Sequence, residues 1–226
     1  MSHATPDGAV DRPLPNYALY AELYPESKEY VRKLQRAVEL ATRGAITVPS
    51  EDPHVTVMYG PSASAHGEDA SGIEAAMDMY PEVEELKGYP GLDLKCAGFD
   101  VFDRPHQGRW ILHLRVWSQH LSTLRAKLMC RYPAVADAAR AAMAAAAAAG
   151  AKNLRSFSPE DEGPDHYWAH VTLGTFAKEA DAAWARNLIT DYTEKGIITP
   201  RWSLYASGIT HLSATSDTKT LMVEFL

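Results

Sequence analysis

Two copies of a His-x-Thr triplet hold the residues of this sequence that are best suited to chemistry. They are His54-Val-Thr56 and His170-Val-Thr172, and an aliphatic residue follows each of them. Both triplets lie in runs rich in β-branched and apolar residues, which predict strands. Because side chains two apart in a strand point to the same face, each triplet presents an imidazole beside a hydroxyl.

This set of groups suits the hydrolysis of a phosphodiester. One group must take a proton from the attacking water, and another must protonate the departing oxygen. Histidine does both because its unperturbed pKa is about 6.5, and each transfer contributes about 10² to 10⁴ in rate. Threonine hydroxyls can donate hydrogen bonds to phosphate oxygens as their charge grows. The sequence therefore predicts His54 and His170 as the acid and base, in either order, with Thr56 and Thr172 holding phosphate.

Four further residues are candidates for substrate contact. Trp168 lies two residues before the second histidine, so alternation places it on the same face, either to stack on a base or to pack as a core or rim residue. Tyr17 lies in the first predicted strand. Met58 and Gly174 share the predicted face of the two triplets, where a small Gly174 would let the substrate approach.

The pattern does not settle the role of two other histidines, and it predicts no metal site. His113 and His211 lie in predicted strands, where they could face either solvent or the cleft. No histidines or cysteines show the spacing of a metal-binding motif. We therefore expect neither a metal nor another cofactor.

Composition narrows the class of protein and of substrate. The chain has 226 residues, of which 46% are hydrophobic and 23% charged, which is ordinary for a globular domain. Its formal net charge of -7 does not provide the overall basic balance that favours long nucleic acid, although a local basic pocket is compatible with it. The balance favours a nucleotide-sized substrate. Cys96 and Cys130 form no CxxC motif, which suits a reducing compartment.

The chain start indicates a flexible lead-in before a single domain. Residues 1–15 are rich in proline, glycine and small polar residues and carry no signal-peptide pattern. No apolar run is long enough to span a membrane. We expect one domain over 16–226, a cytoplasmic location and no membrane partner.

Elsewhere, periodicity and turn residues predict a mixed α and β architecture. Each triplet strand is followed by a predicted helix and then by two predicted strands, a similarity that suggests a duplicated lobe. Strands are predicted at 16–23, 54–59, 92–102, 110–117, 167–173, 202–212 and 221–226, and helices at 28–43, 73–87, 119–131, 134–149 and 178–195.

The two motifs resemble the paired signatures of the two-histidine (2H) phosphoesterase superfamily. The first strand (YALYAELYPES), Pro53 before the first motif, and the last strands around Asp217-Thr-Lys-Thr220 are similar to the plant and fungal cyclic phosphodiesterase branch. The resemblance covers most of 16–226. RNA-ligase-like members of the superfamily often carry an arginine shortly after the second motif, and Leu173-Gly-Thr-Phe176 stands there in this chain.

The resemblance implies an α+β, two-lobed, LigT-like fold, with two antiparallel sheets flanked by helices around a central cleft. It also implies metal-independent hydrolysis of a ribose cyclic phosphate to a monoester. The substrate would be a 2′,3′-cyclic nucleotide or ADP-ribose 1″,2″-cyclic phosphate, with RNA ends as a further partner in RNA processing and a monomeric enzyme.

Two alternatives use the same residues. The site could instead cut linkages in oligonucleotides or cyclic oligonucleotides. The chain could also be a non-catalytic nucleotide- or RNA-binding module of the same fold, although intact histidines and threonines in both motifs argue against it.

Overall fold

The computed structural model describes residues 17–59, 83–87, 91–104, 108–131, 169–213 and 218–225, with the isolated positions 144, 148 and 150. This part of the chain is an α+β structure, as expected. Its strands are β1 (Tyr17–Leu23), β2 (His54–Tyr59), β3 (Leu92–Arg104), β4 (Arg109–Trp117), β5 (His170–Phe176), β6 (Ser203–Ser213) and β7 (Thr218–Glu224), and its long helices are α1 (Pro25–Ala41), α2 (Gln119–Arg131) and α3 (Glu179–Glu194).

All seven strands belong to one antiparallel sheet, which corrects the expectation of two sheets. The path of neighbours is β2-β1-β6-β3-β4-β5, and β7 also pairs with β6. The long strand β3 joins the two halves because residues 92–95 pair with β6, whereas residues from Lys95 onward pair with β4. A register shift between Cys96 and Phe99 marks the change of partner.

The two motif strands, β2 and β5, are the two ends of this path, and they contact each other. The hairpin that follows each motif pairs within the other motif's half. Strands β3 and β4 follow the first motif, and β4 pairs with β5, whereas β6 follows the second motif and pairs with β1, the neighbour of β2. Thr47, ahead of β2, also exchanges two backbone hydrogen bonds with Thr175 of β5. This crossed pairing between the two halves of the sheet thus brings the two motifs side by side.

Each motif strand contains a one-residue bulge directly after its threonine. In β2, Thr56 lies opposite Tyr20 and Met58 lies opposite Leu19, so Val57 is the extra residue. In β5, Thr172 and Gly174 lie opposite His113 and Leu112, so Leu173 is the extra residue. A bulge interrupts the alternation of side chains between the two faces of a strand. The five residues from each histidine onward accordingly show one shared burial pattern, in which the histidine and threonine are half-buried and the other three are buried.

The helices cover the sheet face opposite the two histidines. Helix α1 begins with Pro25, whose fixed φ suits the first helical position, and it buries Val31, Leu34 and Val38. Helix α3 buries Ala182, Ala185 and Ile189 and contacts β3, β4 and β5. Strand residues of the same core include Leu19, Ala21, Val55, Leu112, Leu114, Val171, Leu204 and Ala206.

Several sequence predictions fall outside the described residues. These are the flexible segment 1–15 and most of the predicted helices at 73–87 and 134–149. Strand β5 extends past Gly174, which was predicted to end it, because the segment around Thr47 pairs with its second half. None of the helices in the described ranges has both the length and the apolar character needed to cross a bilayer.

Candidate active site

The His54 ring lies against the Tyr20 ring, with 4.0 Å between ring centres. Its Nδ1 lies 2.9 Å from the backbone oxygen of Asp52. A carbonyl oxygen only accepts hydrogen bonds, so Nδ1 must be the protonated donor. Nε2 is then the nitrogen that can gain or lose a proton during a reaction.

A cluster of charged side chains holds the segment that supplies this carbonyl. Lys28 Nζ lies 3.2 Å from Asp52 Oδ2 and 3.2 Å from Glu22 Oε2, and Arg32 also pairs with Asp52. The hydrogen bond from Lys28 is the main reason that the pKa of Asp52 lies below its ordinary value. Glu22 is the cross-strand neighbour of His54. Helix α1, which carries Lys28 and Arg32, therefore fixes the entry to β2.

His170 lies in a different environment, formed by two aromatic rings. Its ring meets Phe102 edge-on at 4.7 Å between centres and meets His113 edge-on at 5.2 Å. His113 in turn stacks on Phe102 at 3.8 Å, with the two planes 14° apart. The three rings come from three neighbouring strands, β5, β3 and β4. They form a trio that limits how the His170 ring can turn.

His113 is the main site residue that sequence reasoning did not assign. It is 2% exposed, and its Nδ1 donates to the Ile111 carbonyl at 3.2 Å. It lies directly opposite Thr172 in the β4–β5 ladder. The sequence does carry a signal, since a histidine within the apolar run of β4 is unusual unless it has polar or aromatic neighbours. Only the strand pairing shows that the neighbour is the second motif.

Arg115 places a guanidinium beside the second motif, because it is the cross-strand partner of His170. It donates two hydrogen bonds to the Ala97 carbonyl, at 3.1 and 2.7 Å, and lies 3.9 Å from a carboxylate oxygen of Asp100. Gly98, with φ of 86°, gives the β3 bulge a conformation that residues with a Cβ rarely adopt. The bulge thus presents the carbonyl that holds Arg115.

Side chains from two helices bind the backbone of the motif bulges. Arg125 of α2 donates to the Val57 carbonyl at 2.6 Å. Gln35 of α1, 6% exposed, donates to the Thr172 carbonyl at 3.4 Å. A bulge disturbs the strand ladder, so such carbonyls need partners from elsewhere. Both bulges are therefore supported, and the two half-buried threonines share a strand face with their histidines.

Two of the predicted substrate contacts are wrong. Met58 is fully buried in the core, because the Val57 bulge breaks the alternation that would have kept it on the histidine face. Gly174 is also buried, and a Cβ built there would lie 2.5 Å from Ile46 side-chain atoms and 2.8 Å from the Thr47 carbonyl oxygen. Its small size admits the segment before β2 and not a substrate.

The other two predicted contacts have different outcomes. Tyr17 begins β1 at the end away from Glu22, which is the position opposite His54, and its backbone pairs with Ser213. Most of the length of β1 therefore lies between Tyr17 and the position opposite His54. Tyr20 is the tyrosine of β1 that contacts the histidine. Trp168 lies outside the described residues and stays a prediction.

Three other triplets of the form His-x-Thr or His-x-Ser occur, beginning at His3, His120 and His211. The first lies outside the described residues. The second lies in helix α2, where residues two apart do not share a face. The third lies near the end of β6. The spacing alone is therefore less specific than the spacing on two adjoining strands.

Comparison with known proteins gives no family assignment. No family model matches the chain, and no curated protein matches it in sequence. Among solved structures, Usb1 of Kluyveromyces marxianus is similar at 10% identity and a TM-score of 0.48, over 92% of this chain and 98% of that one. A structure of the same protein with uridine monophosphate gives 10% identity and a TM-score of 0.45, with the same coverage.

Proposed function

We propose that this protein is a metal-independent phosphodiesterase of the two-histidine type. One observation carries the proposal. Two identical His-Val-Thr triplets, at the two ends of one sheet path, lie on adjoining strands with the same bulge and the same burial pattern. The same bulge follows both threonines, which indicates that the orientation of the triplet side chains is what the two strands have in common. Bulges are known to redirect side chains near active sites.

The proposed substrate is a ribose cyclic phosphate, either a 2′,3′-cyclic nucleotide or ADP-ribose 1″,2″-cyclic phosphate. One histidine takes a proton from water as the water oxygen bonds to phosphorus. The other donates its proton to the ribose oxygen as the phosphorus–oxygen bond of the ring breaks, and the product is a monoester. For His54, Nε2 is the atom that transfers the proton, since Nδ1 donates to the Asp52 carbonyl.

Charge on the non-bridging oxygens grows as water attacks. The hydroxyl groups of Thr56 and Thr172 are placed to donate to these oxygens, because each shares a strand face with its histidine. Preorganised donors of this kind commonly contribute about 10² to 10³ in rate. No cofactor forms part of this proposal.

The deciding experiment is a substrate panel with product analysis. It compares cyclic mononucleotides, ADP-ribose cyclic phosphate, cyclic oligonucleotides and short RNA, and it separates 2′- from 3′-phosphate products. We expect turnover of a ribose cyclic phosphate without added metal and in the presence of a chelator. A purely binding module would retain ligands and release no product from any member of the panel.

Variants assign the turnover to the proposed residues. His54→Ala or His170→Ala should each lower kcat by at least about 10². His120→Ala is the matched control, since this histidine lies in α2 within a His-x-Ser triplet and is expected to be dispensable. Full activity in either motif variant, with unchanged folding, would disprove the assignment. A cytoplasmic location and a monomeric state stay predictions.

A further inference from the structure

A group of exposed aromatic residues extends from the second motif across strands β4, β3 and β6. Trp117 is 37% exposed, Tyr205 49% and Trp202 86%. Lys95 lies among them, with Nζ 5.7 Å from the centre of the Trp117 ring. These four residues are called the aromatic platform. Large exposed aromatic side chains that lie close together mark interaction surfaces more often than isolated ones do.

Strand pairing places three residues of the platform, Lys95, Trp117 and Tyr205, on one face of the sheet. Lys95 is the cross-strand neighbour of both Trp117 and Ser203, and Asp93 is the neighbour of Tyr205. The intervening residues, such as Leu94 and Leu204, point to the core on the other face. Trp202 directly precedes β6, and its carbonyl accepts a hydrogen bond from the Cys96 backbone at 2.8 Å.

The same face continues to the second motif. On β4, Trp117 lies two residues beyond Arg115, so the two side chains share a face about 7 Å apart. Arg115 lies directly opposite His170. A chain bound at His170 can therefore continue along this face past Arg115 to Trp117.

The charges next to the platform suit a small number of phosphates. Lys95 lies on the platform and Arg115 lies beside it on β4, whereas Arg201 lies over the Tyr30 ring of α1 and is not part of this surface. Asp93 and Asp100 lie on the same face, and the whole chain has a net charge of -7. This balance disfavours a duplex, whose binding depends on many phosphate contacts. Aromatic residues with a few cations are the usual means of binding unpaired bases.

We propose that the aromatic platform binds the bases of a single-stranded oligonucleotide whose terminal phosphodiester lies between the two motifs. This inference rests on the proposed function and narrows its substrate class from a mononucleotide to the end of a strand. Bases stack on Trp117 and Tyr205, and Lys95 lies near the phosphate that joins them. Stacking of this kind tolerates any base, so binding depends weakly on sequence. Few phosphates are contacted, so binding also depends weakly on salt.

The test measures binding by fluorescence anisotropy, in a His54→Ala background that prevents turnover. The probes are a fluorescein-labelled single-stranded RNA of about ten nucleotides, a single-stranded DNA of the same sequence, and the RNA annealed to its complement. We expect both single strands to bind more tightly than the duplex. Trp117→Ala and Tyr205→Ala should each weaken binding by about 5- to 100-fold.

Trp184→Ala is the matched control. Trp184 is 50% exposed and lies on α3, which packs against the other face of the sheet, so its loss should leave strand binding unchanged. Light scattering of each variant reports the oligomeric state. Affinity equal to that of the parent in Trp117→Ala would overturn the proposal. A change of oligomeric state in Trp117→Ala, without an effect on strand binding, would overturn it too, because the platform would then be a protein interface.

The two proposals can fail separately. If the intact protein hydrolyses a cyclic mononucleotide but binds none of the probes, the platform proposal fails and the proposed function stands. If the platform variants lose strand binding but no substrate of the panel is hydrolysed, the platform stands and the proposed function fails.

Discussion

The ring of His113 lies edge-on to the ring of His170, with 5.2 Å between their centres, and both contact Phe102. This trio supports only the second motif. At the first motif, a backbone carbonyl and Tyr20 hold His54 instead. The two histidines therefore have identical local sequences but different supports, which gives each half of the site its own sensitivity to mutation.

Truncation of His113 should impair catalysis more than binding. His113→Ala removes the ring that packs against His170, so we expect kcat to fall by up to about 100-fold with a smaller change in KM. His113→Phe keeps a ring of similar shape stacked on Phe102 and should recover most of kcat. Steady-state kinetics on the substrate found in the panel measures both parameters.

Urea unfolding of the same variants separates the two roles of His113. A purely structural residue would lower the free energy of unfolding in His113→Ala and leave the activity of the folded fraction intact. We expect kcat of His113→Ala to fall even under conditions where both variants are fully folded, in addition to any loss of stability from the missing ring. Equal kcat values in His113→Ala, His113→Phe and the parent would show that the trio does not position His170.

Loss of the Asp52 carboxylate should weaken both the fold and the placement of His54. Lys28 and Arg32 bind this carboxylate, and the Asp52 carbonyl accepts from His54. The pKa of Asp52 is lowered in the folded protein, chiefly by the Lys28 hydrogen bond. Its contribution to stability is therefore present above the unfolded pKa of about 3.9 and is lost as the pH falls through the lower folded value.

Asp52→Asn tests both effects. The free energy of unfolding of Asp52→Asn should be lower than that of the parent at neutral pH. This difference should shrink below about pH 4. The difference will be small because the side chain is 48% exposed. Asp191→Asn is the control, since Asp191 forms an ion pair with Lys195 on α3, away from the site. A kcat that falls in Asp191→Asn as much as in Asp52→Asn would rule out a specific role.

Local pattern was enough to predict the two strands that carry the His-Val-Thr triplets. The same rule of alternation failed at Met58 and Gly174, because it assumes an unbroken strand. Each motif strand has a bulge directly after its threonine, and no residue type there signals it. Bulges depend on the pairing with neighbouring strands, which a single strand sequence does not encode.

Long-range pairing also determined which residues surround the motifs. His113 and Arg115 lie next to the second motif only because β4 pairs with β5, more than fifty positions later in the chain. The order of elements suggested two similar lobes, but each hairpin pairs within the half of the other motif. A mixed α and β architecture followed from periodicity, and the α+β class from the resemblance to the two-histidine superfamily, whereas the crossed pairing of the two halves followed only from the sheet topology.

The two cysteines should react at very different rates. Burial raises the pKa of the Cys96 thiol to about 11, with a further contribution from Asp93. The thiolate is the reactive form, so Cys96 should be almost inert near pH 8. Cys130 is exposed on α2. Limited alkylation with iodoacetamide, followed by peptide mass spectrometry, should label Cys130 first, and Cys130→Ser should abolish fast labelling. Rapid labelling at Cys96 would contradict its burial.

Gly174→Ala should destabilise the protein even though glycine is usually unfavourable in a strand. The added Cβ would lie 2.5 Å from the Ile46 side chain and 2.8 Å from the Thr47 carbonyl oxygen. The segment before β2 must then move away from β5, which strains the backbone hydrogen bonds between Thr47 and Thr175. We expect a loss of about 1 to 3 kcal/mol in the free energy of unfolding, measured with urea.

A double variant distinguishes this clash from a general loss of order in β5. Ile46→Ala alone should be destabilising because it leaves a cavity in the core. If the clash with Ile46 dominates, Ile46→Ala combined with Gly174→Ala should lose less stability than the sum of the two single changes, since the shorter side chain makes room for the new methyl group. Strict additivity would place the strain at the Thr47 carbonyl, and an unchanged stability in Gly174→Ala would refute the close packing of this segment on the second motif strand.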